Sequence, residues 1–267
     1  MREPLRAALV PILICTASAA LPAQTAPPGL AAERAAFADW LAHAPVSPLA
    51  AVSAAPLDRA GVSVELGGGR TARVVERGDA VWLEGDGAAR PIARDRPVRL
   101  GATTLLVTGE PPRSRVTFYR AVRSPTTPRY WAYDPGLVFT GTLAPPTRPA
   151  SERVLTPDGV EVEATDAGTV SLDLRGLVRL RVLRLPDPGS GESSLEVYFR
   201  DATSGAGSYP AGRFVSLEPL ADGRYRLDFN RARNPFCAYN AAYPCPAPWP
   251  GNTIAAPIRA GERYEGH

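Results

Sequence analysis

From Gly61 onward the chain divides into short runs rich in Val, Leu, Thr and aromatic residues, each ended by Gly, Pro or Asp. Such runs predict strands at VSVEL (62–66), TARVVE (71–76), AVWLE (80–84), TTLLV (103–107) and RVTFYRA (115–121). VEVEAT (160–165), TVSLDL (169–174), VRLRVLRL (178–185), SLEVYF (194–199), RFVSLE (213–218) and RYRLDF (224–229) continue the series. In SLEVYFR, alternation puts Leu195, Val197 and Phe199 on one face and Glu196, Tyr198 and Arg200 on the other. That is the pattern of a half-buried antiparallel strand. Turns recur about every 8–12 residues and no long helical period competes after residue 45, so the expected fold is all-β: an antiparallel sandwich or open-barrel-like sheets.

One short helix precedes the strands. In AAERAAFADWLAHA (31–44), Phe37, Trp40 and Leu41 stand at i, i+3 and i+4, and Pro45 closes the segment. Ahead of it, Arg2 and Arg6, the apolar stretch Ala7–Leu21 and small residues up to Ala23 read as an export signal cleaved near Ala23. The expected organisation is a signal over 1–23, a linker and helix over 24–58, and a β-rich domain over 59–267. The Pro-rich breaks SPTTPRYWAYDPG (124–136) and APPTRPA (144–150) could divide that domain into 59–123 and 124–267. The apolar stretch is too short for a membrane span of about 20 residues. Ile14 stands where a lipoprotein signal carries a small residue before its cysteine, which argues against an anchor on Cys15. A periplasmic or extracellular protein with no transmembrane span after cleavage is expected.

Composition removes several functions. The 30 basic residues are all arginine, they are scattered, and 27 acids nearly balance them, so the concentrated footprint of a nucleic-acid binder is missing. The two histidines, His43 and His267, have no spaced metal-ligand partners, and no serine triad, P-loop or dinucleotide fingerprint can be assembled. No metal and no cofactor are expected. Cys237 and Cys245 lie in NPFCAYNAAYPCPAPWPGN (234–252). In an exported chain this pair should oxidise to a disulfide, contributing roughly 2–3 kcal/mol by loop entropy.

Two polar loops hold the remaining chemistry. RDATSGAGSYPAGRF (200–214) carries Asp201, Thr203, Ser204, Tyr209 and Arg213 among glycines. In RYRLDFN, alternation puts Asp228 and Asn230 on one face, where a carboxylate and an amide could share a pocket with Arg213. The plainer reading has Asp and Asn bonding their own turns and Arg213 paired with a carboxylate.

The same residues resemble the signature of the domain-of-unknown-function 1684 family: D-x-T-S-G, a Tyr and G-R-Y-L, then D-F-N-x-A-x-N-P-x-C-A, C-P-x-P-P, an Asn and A-G-E. The match falls on Asp201, Thr203, Ser204, Gly205, Tyr209, Gly212 and Arg213, then Asp228, Phe229, Asn230, Asn234, Pro235, Cys237, Cys245, Pro246, Asn252, Gly261 and Glu262. Phe214 and Val215 replace the Tyr-Leu pair, and Trp249 interrupts the proline run. The resemblance implies no activity and directs attention to the C-terminal region. Three functions are carried forward. The first is binding of a small molecule, glycan or envelope protein through the loops at 201–213 and 228–252. The second is a hydrolase or lyase with Asp201, Asp228 or Glu262 as acid or base and Arg213 as anion clamp. The third is a purely structural envelope role.

Overall fold

A computed structural model describes residues 25–85, 87–186 and 191–266. The expected export signal, Cys15 included, lies outside them. Helix α1 (Pro28–His43) begins with a proline at its first position, where no backbone N–H is needed, and stops before Pro45. Leu30, Arg34, Phe37 and Leu41 share its inner side, with Leu30 and Leu41 fully enclosed. Trp40 packs on Phe236 and Phe37 meets Tyr239 edge to face, so the helix docks on the segment that holds the cysteines. His43 is exposed beside Asp39. No helix among the described residues is long and apolar enough to cross a membrane.

The first strands are β1 (Ala51–Pro56), β2 (Val62–Gly67), β3 (Arg70–Arg77), β4 (Ala80–Glu84), β5 (Arg90–Ile92), β6 (Val98–Leu100), β7 (Thr103–Thr108) and β8 (Arg115–Tyr119). They form two antiparallel four-stranded sheets, β1-β8-β7-β6 and β2-β3-β4-β5. Val74 and Leu83 of one pack against Leu105, Val107, Val116 and Phe118 of the other. Alternate burial in β7 follows from that single covered face.

The later strands are β9 (Val138–Gly141), β10 (Leu143–Ala144), β11 (Ser151–Leu155), β12 (Glu161–Asp173), β13 (Leu177–Pro186), β14 (Ser193–Asp201), β15 (Arg213–Pro219), β16 (Tyr225–Asp228) and β17 (Thr253–Ile254). They build one sheet in the order β10-β12-β13-β14-β15-β16-β9, with β11 added to β12 and β17 parallel to β14. Its two end strands, β9 and β10, are separated in the chain only by Thr142, so the sheet curls until it is nearly a closed barrel. Val170, Leu180, Val197, Phe199, Val215 and Phe229 fill the interior.

Three sequence expectations need correction. The runs at 160–165 and 169–174 are one strand, β12, bent by a bulge between Asp166 and Gly168. Gly168 adopts φ +121° there, and a Cβ would meet the Ala144 carbonyl at 2.0 Å. The strand SLEVYF is buried on both faces: Phe199 faces the barrel interior while Tyr198 stacks on Phe214 and meets Trp249 outside. The proline-rich loop carrying Trp249 covers that outer face. RYRLDF stops being a strand at Asp228, whose carboxylate caps a 3-10 turn over Phe229–Arg231 by accepting from the Asn230 N–H.

Candidate functional site

The loop at 200–214 is bound up in itself. Asp201 Oδ1 accepts from Thr203 N (2.7 Å), Thr203 Oγ1 (2.6 Å) and Ile258 N (3.0 Å), and Ser204 Oγ accepts from Asp201 N. Asp201 Oδ2 receives Arg213 Nη2 at 2.9 Å. The guanidinium also donates to the carbonyls of Ile258, Ala260 and Glu262, and lies over the Phe199 ring. Arg213 is 1% exposed. Burial lowers its pKa, and the Asp201 charge opposes the shift. With both terminal nitrogens committed in a closed interior, Arg213 has no free face for a substrate, so the anion-clamp role and the shared pocket with Asp228 and Asn230 do not hold. What Arg213 does is tie the 258–262 segment to β14 and β15.

The other candidates divide in the same way. Asn252 accepts from Arg181 N (2.7 Å) and donates to the carbonyls of Arg181 and Tyr198, standing in for strand pairing between β13 and β14. Asn230 donates to Asp228 Oδ1 (2.9 Å) and brackets Asp134 by accepting from its N–H and donating to its carbonyl. Asp228 and Asn230 therefore do meet, through the 3-10 turn and away from Arg213. Cys237 and Cys245 form a disulfide, and the Tyr209 hydroxyl lies 3.3 and 3.2 Å from their sulfurs. Among the described residues, no group of three potential ligands could hold a metal.

Glu262 is different. Its backbone is wedged between two segments: Glu262 N donates to Ala232 O, Trp131 N donates to Gly261 O, and Tyr130 bridges to Glu262. Gly261 makes this possible, since at φ +73° a Cβ would meet the carbonyls of Ala232 and Phe229 at 2.5 and 2.8 Å. The side chain is enclosed, and Oε2 accepts from Asn234 N at 2.7 Å. Burial pushes its pKa up to about 7, against the pull of the Asn234 N–H, of the Tyr239 hydroxyl and of the Arg233 and Arg213 charges. The carboxyl is thus shared between its two protonation states at neutral pH.

Beside it lies a largely apolar pocket of about 170 Å³, walled by Leu30, Arg34 and Phe37 of α1, by Tyr130 and Ala232, and by Glu262 itself. The Arg34 guanidinium sits 4.2 Å from the Tyr130 ring centre and donates to Asn230 O. Burial lowers the Arg34 pKa and raises that of Tyr130. Arg34 Nε, in the pocket wall, and Asn234 Oδ1, on the residue whose N–H donates to Glu262, are buried without a hydrogen bond, while the Tyr239 hydroxyl is directed at the Glu262 carboxyl. Buried polar groups are nearly always paired. Beside a cavity, such atoms leave a cost that a bound group could relieve.

Sequence reading named Glu262, Asn230 and Asn234 but missed Arg34, Tyr130, Tyr239 and Arg233. Arg34 was legible in principle, because it falls on the same helical side as Leu30, Phe37 and Leu41. Tyr130 sits in a proline-rich break read as a divider, and nothing local shows that it pairs with residue 262.

These features define an all-β protein: a nearly closed barrel, a smaller two-sheet unit, and a helix-capped pocket around one buried carboxyl. The chain belongs to the family described as "Protein of unknown function (DUF1684)", which matches residues 126–263. The solution NMR structure of an uncharacterized protein from Haloarcula marismortui is 37% identical, with a TM-score of 0.44, over 52% of this chain and 76% of that one. No curated protein matches the chain.

Proposed function

We propose that the protein is exported and binds a small, mainly apolar molecule with one polar end in the pocket beside Glu262. The observation that carries this reading is the apolar pocket itself, with the buried and unpaired Arg34 Nε in its wall and Asn234 Oδ1 close by, beside a carboxyl that can donate or accept near pH 7. The volume, about 170 Å³, suits one small molecule; a cavity of roughly 150 Å³ holds benzene. It is too small for a glycan chain, and the loops at 201–213 are internally paired, so of the partner classes the small molecule is favoured. Export is supported by Arg2, Arg6, the apolar stretch to Leu21 and the Cys237–Cys245 disulfide.

The hydrolase or lyase alternative is reduced to Glu262 alone as acid or base, favoured by its raised pKa. A purely structural role suits the Asp201–Arg213 cluster and leaves the Glu262 pocket unexplained.

The test is a thermal-shift panel of short-chain alcohols, carboxamides and carboxylic acids against the wild type and against Leu30→Trp, which fills the pocket. Some members should raise the wild-type Tm and leave the variant unmoved. Shifts that survive in Leu30→Trp, or none in the wild type, would overturn the assignment. N-terminal sequencing of the exported form should begin near Gln24.

A further inference from the structure

The charged residues that wall the Glu262 pocket are not equally occupied. Three arginines line it, Arg34, Arg231 and Arg233. Arg231 is spent on Glu33, with Asp228 and Glu218 lying 3.4 and 3.6 Å from its Nε. Arg233 is spent on Glu196 and Ser216, neither of which lines the pocket. Arg34 differs. Its Nη2 donates to Asn230 O, a neutral acceptor, its flat face lies against the Tyr130 ring, and among the described residues it has no ion pair. An arginine without a carboxylate, in the wall of a largely apolar pocket, is fitted to hold an anion.

Two acids line the same pocket, Glu33, which pairs with Arg231, and Glu262, which has no ion pair among the described residues. Glu262 is faced by Arg34 of α1, by Tyr130 of the bridging segment, by Asn234 N and the Tyr239 hydroxyl, and by the charges of Arg233 and Arg213. The Arg34 charge also feels Asp228 and Arg231, but Asp228 is committed to Asn230 and Arg231. Ionised, Glu262 offsets Arg34. Protonated, it leaves that charge without a counter-ion and offers an O–H donor of its own. A carboxylate answers both groups: one oxygen for the guanidinium, the other for the Glu262 O–H, and a hydrocarbon tail for Leu30, Phe37 and Ala232. An ammonium ion would be repelled by Arg34, and a phosphate dianion needs more donors and less apolar wall.

We infer that the pocket takes a short-chain monocarboxylate, its anion held between Arg34 and the Glu262 carboxyl and its tail lying against Leu30 and Phe37. The inference rests on the reading of this pocket as a ligand site and names the class of ligand. A second negative charge in a space of about 170 Å³ disfavours ionised Glu262, so a carboxylate bound above neutral pH brings a proton with it. Affinity is therefore full below the Glu262 pKa and falls as pH rises through about 7.

The experiment is calorimetric titration of the full chain with butanoate, butanamide and 1-butanol at pH 6 and pH 8. At pH 6 butanoate should bind saturably and roughly tenfold more tightly than the two neutral molecules. At pH 8 its affinity should be about tenfold lower, following the protonated fraction of Glu262, while the neutral molecules change little. Arg34→Gln should abolish the preference for butanoate yet still bind butanamide, which shows that the variant is folded. Glu262→Gln should bind butanoate with no decline between the two pH values. Butanoate no tighter than butanamide at pH 6, a preference that survives Arg34→Gln, or a pH decline that persists in Glu262→Gln would overturn the inference. In those cases butanamide binding that is lost in Leu30→Trp would leave the pocket itself standing as a ligand site. No saturable binding of any of the three, or binding untouched by Leu30→Trp, would remove both.

Discussion

The Asp201–Arg213 cluster and the Glu262 pocket are built from the same kinds of residue and joined by one atom, the Glu262 carbonyl, which accepts from Arg213 at 3.1 Å. In the first, both carboxylate oxygens and both terminal guanidinium nitrogens have partners, solvent is excluded, and Arg213 Nε is the atom left unpaired. In the second, an arginine and an amide each keep a buried polar atom unpaired near a cavity and a carboxyl whose charge is unsettled at neutral pH. Unpaired groups beside a cavity mark a site better than residue type does. A nearly complete set of hydrogen bonds in a closed interior leaves no room for a ligand, whereas an incomplete one at a cavity is a standing cost that a ligand can relieve.

That contrast can be broken most forcefully at Arg213. Arg213→Ala strands the Asp201 carboxylate and three carbonyls in the interior, and urea unfolding should show a loss of about 3–5 kcal/mol. A loss below about 1 kcal/mol would mean the cluster is not what holds the 258–262 segment. Glu262 should behave in a different manner. Its folded pKa of about 7 exceeds the ordinary 4.5, so the folded state holds the proton more tightly than the unfolded chain does. The stability this confers is complete below pH 4.5 and is lost as pH rises through 7, a decline of roughly 3 kcal/mol. Glu262→Gln cannot ionise, so unfolding measured from pH 4.5 to 8 should lack that decline; identical slopes in the two proteins would place the carboxyl in a wetter setting. The smallest effect belongs to Arg34→Ala. It removes one bond to Asn230 O and the contact with Tyr130, and should cost only about 1 kcal/mol by urea unfolding while opening the pocket. A loss matching that of Arg213→Ala would erase the distinction between the two regions.

Much of this fold is written locally. The Val-rich runs at 71–76 and 80–84 became β3 and β4 almost to the residue, because β-branched alternation and glycine turns act over a few positions. β1, with the sequence AVSAAP, escaped notice: alanine, serine and proline carry no strand signal, and the strand exists because β8 pairs with it. Tyr198 and Glu196 were placed on an outer, solvated side because alternation tells two faces apart but cannot say whether the second is covered. Only the folding back of the 235–250 loop and of the first β unit settles that.

By itself, then, the sequence determined the strand-rich class, the docking side of α1, the cysteine pair and the residues worth watching, since each depends on spacing within one short segment. The tertiary structure alone decided which of those residues are spent on architecture and which are left wanting partners. Arg213 is held by carbonyls 45 to 49 positions away, and Glu262 bridges to Tyr130 from a distant part of the chain. Burial and hydrogen-bond saturation are sums over neighbours brought from distant parts of the chain. No local pattern records them.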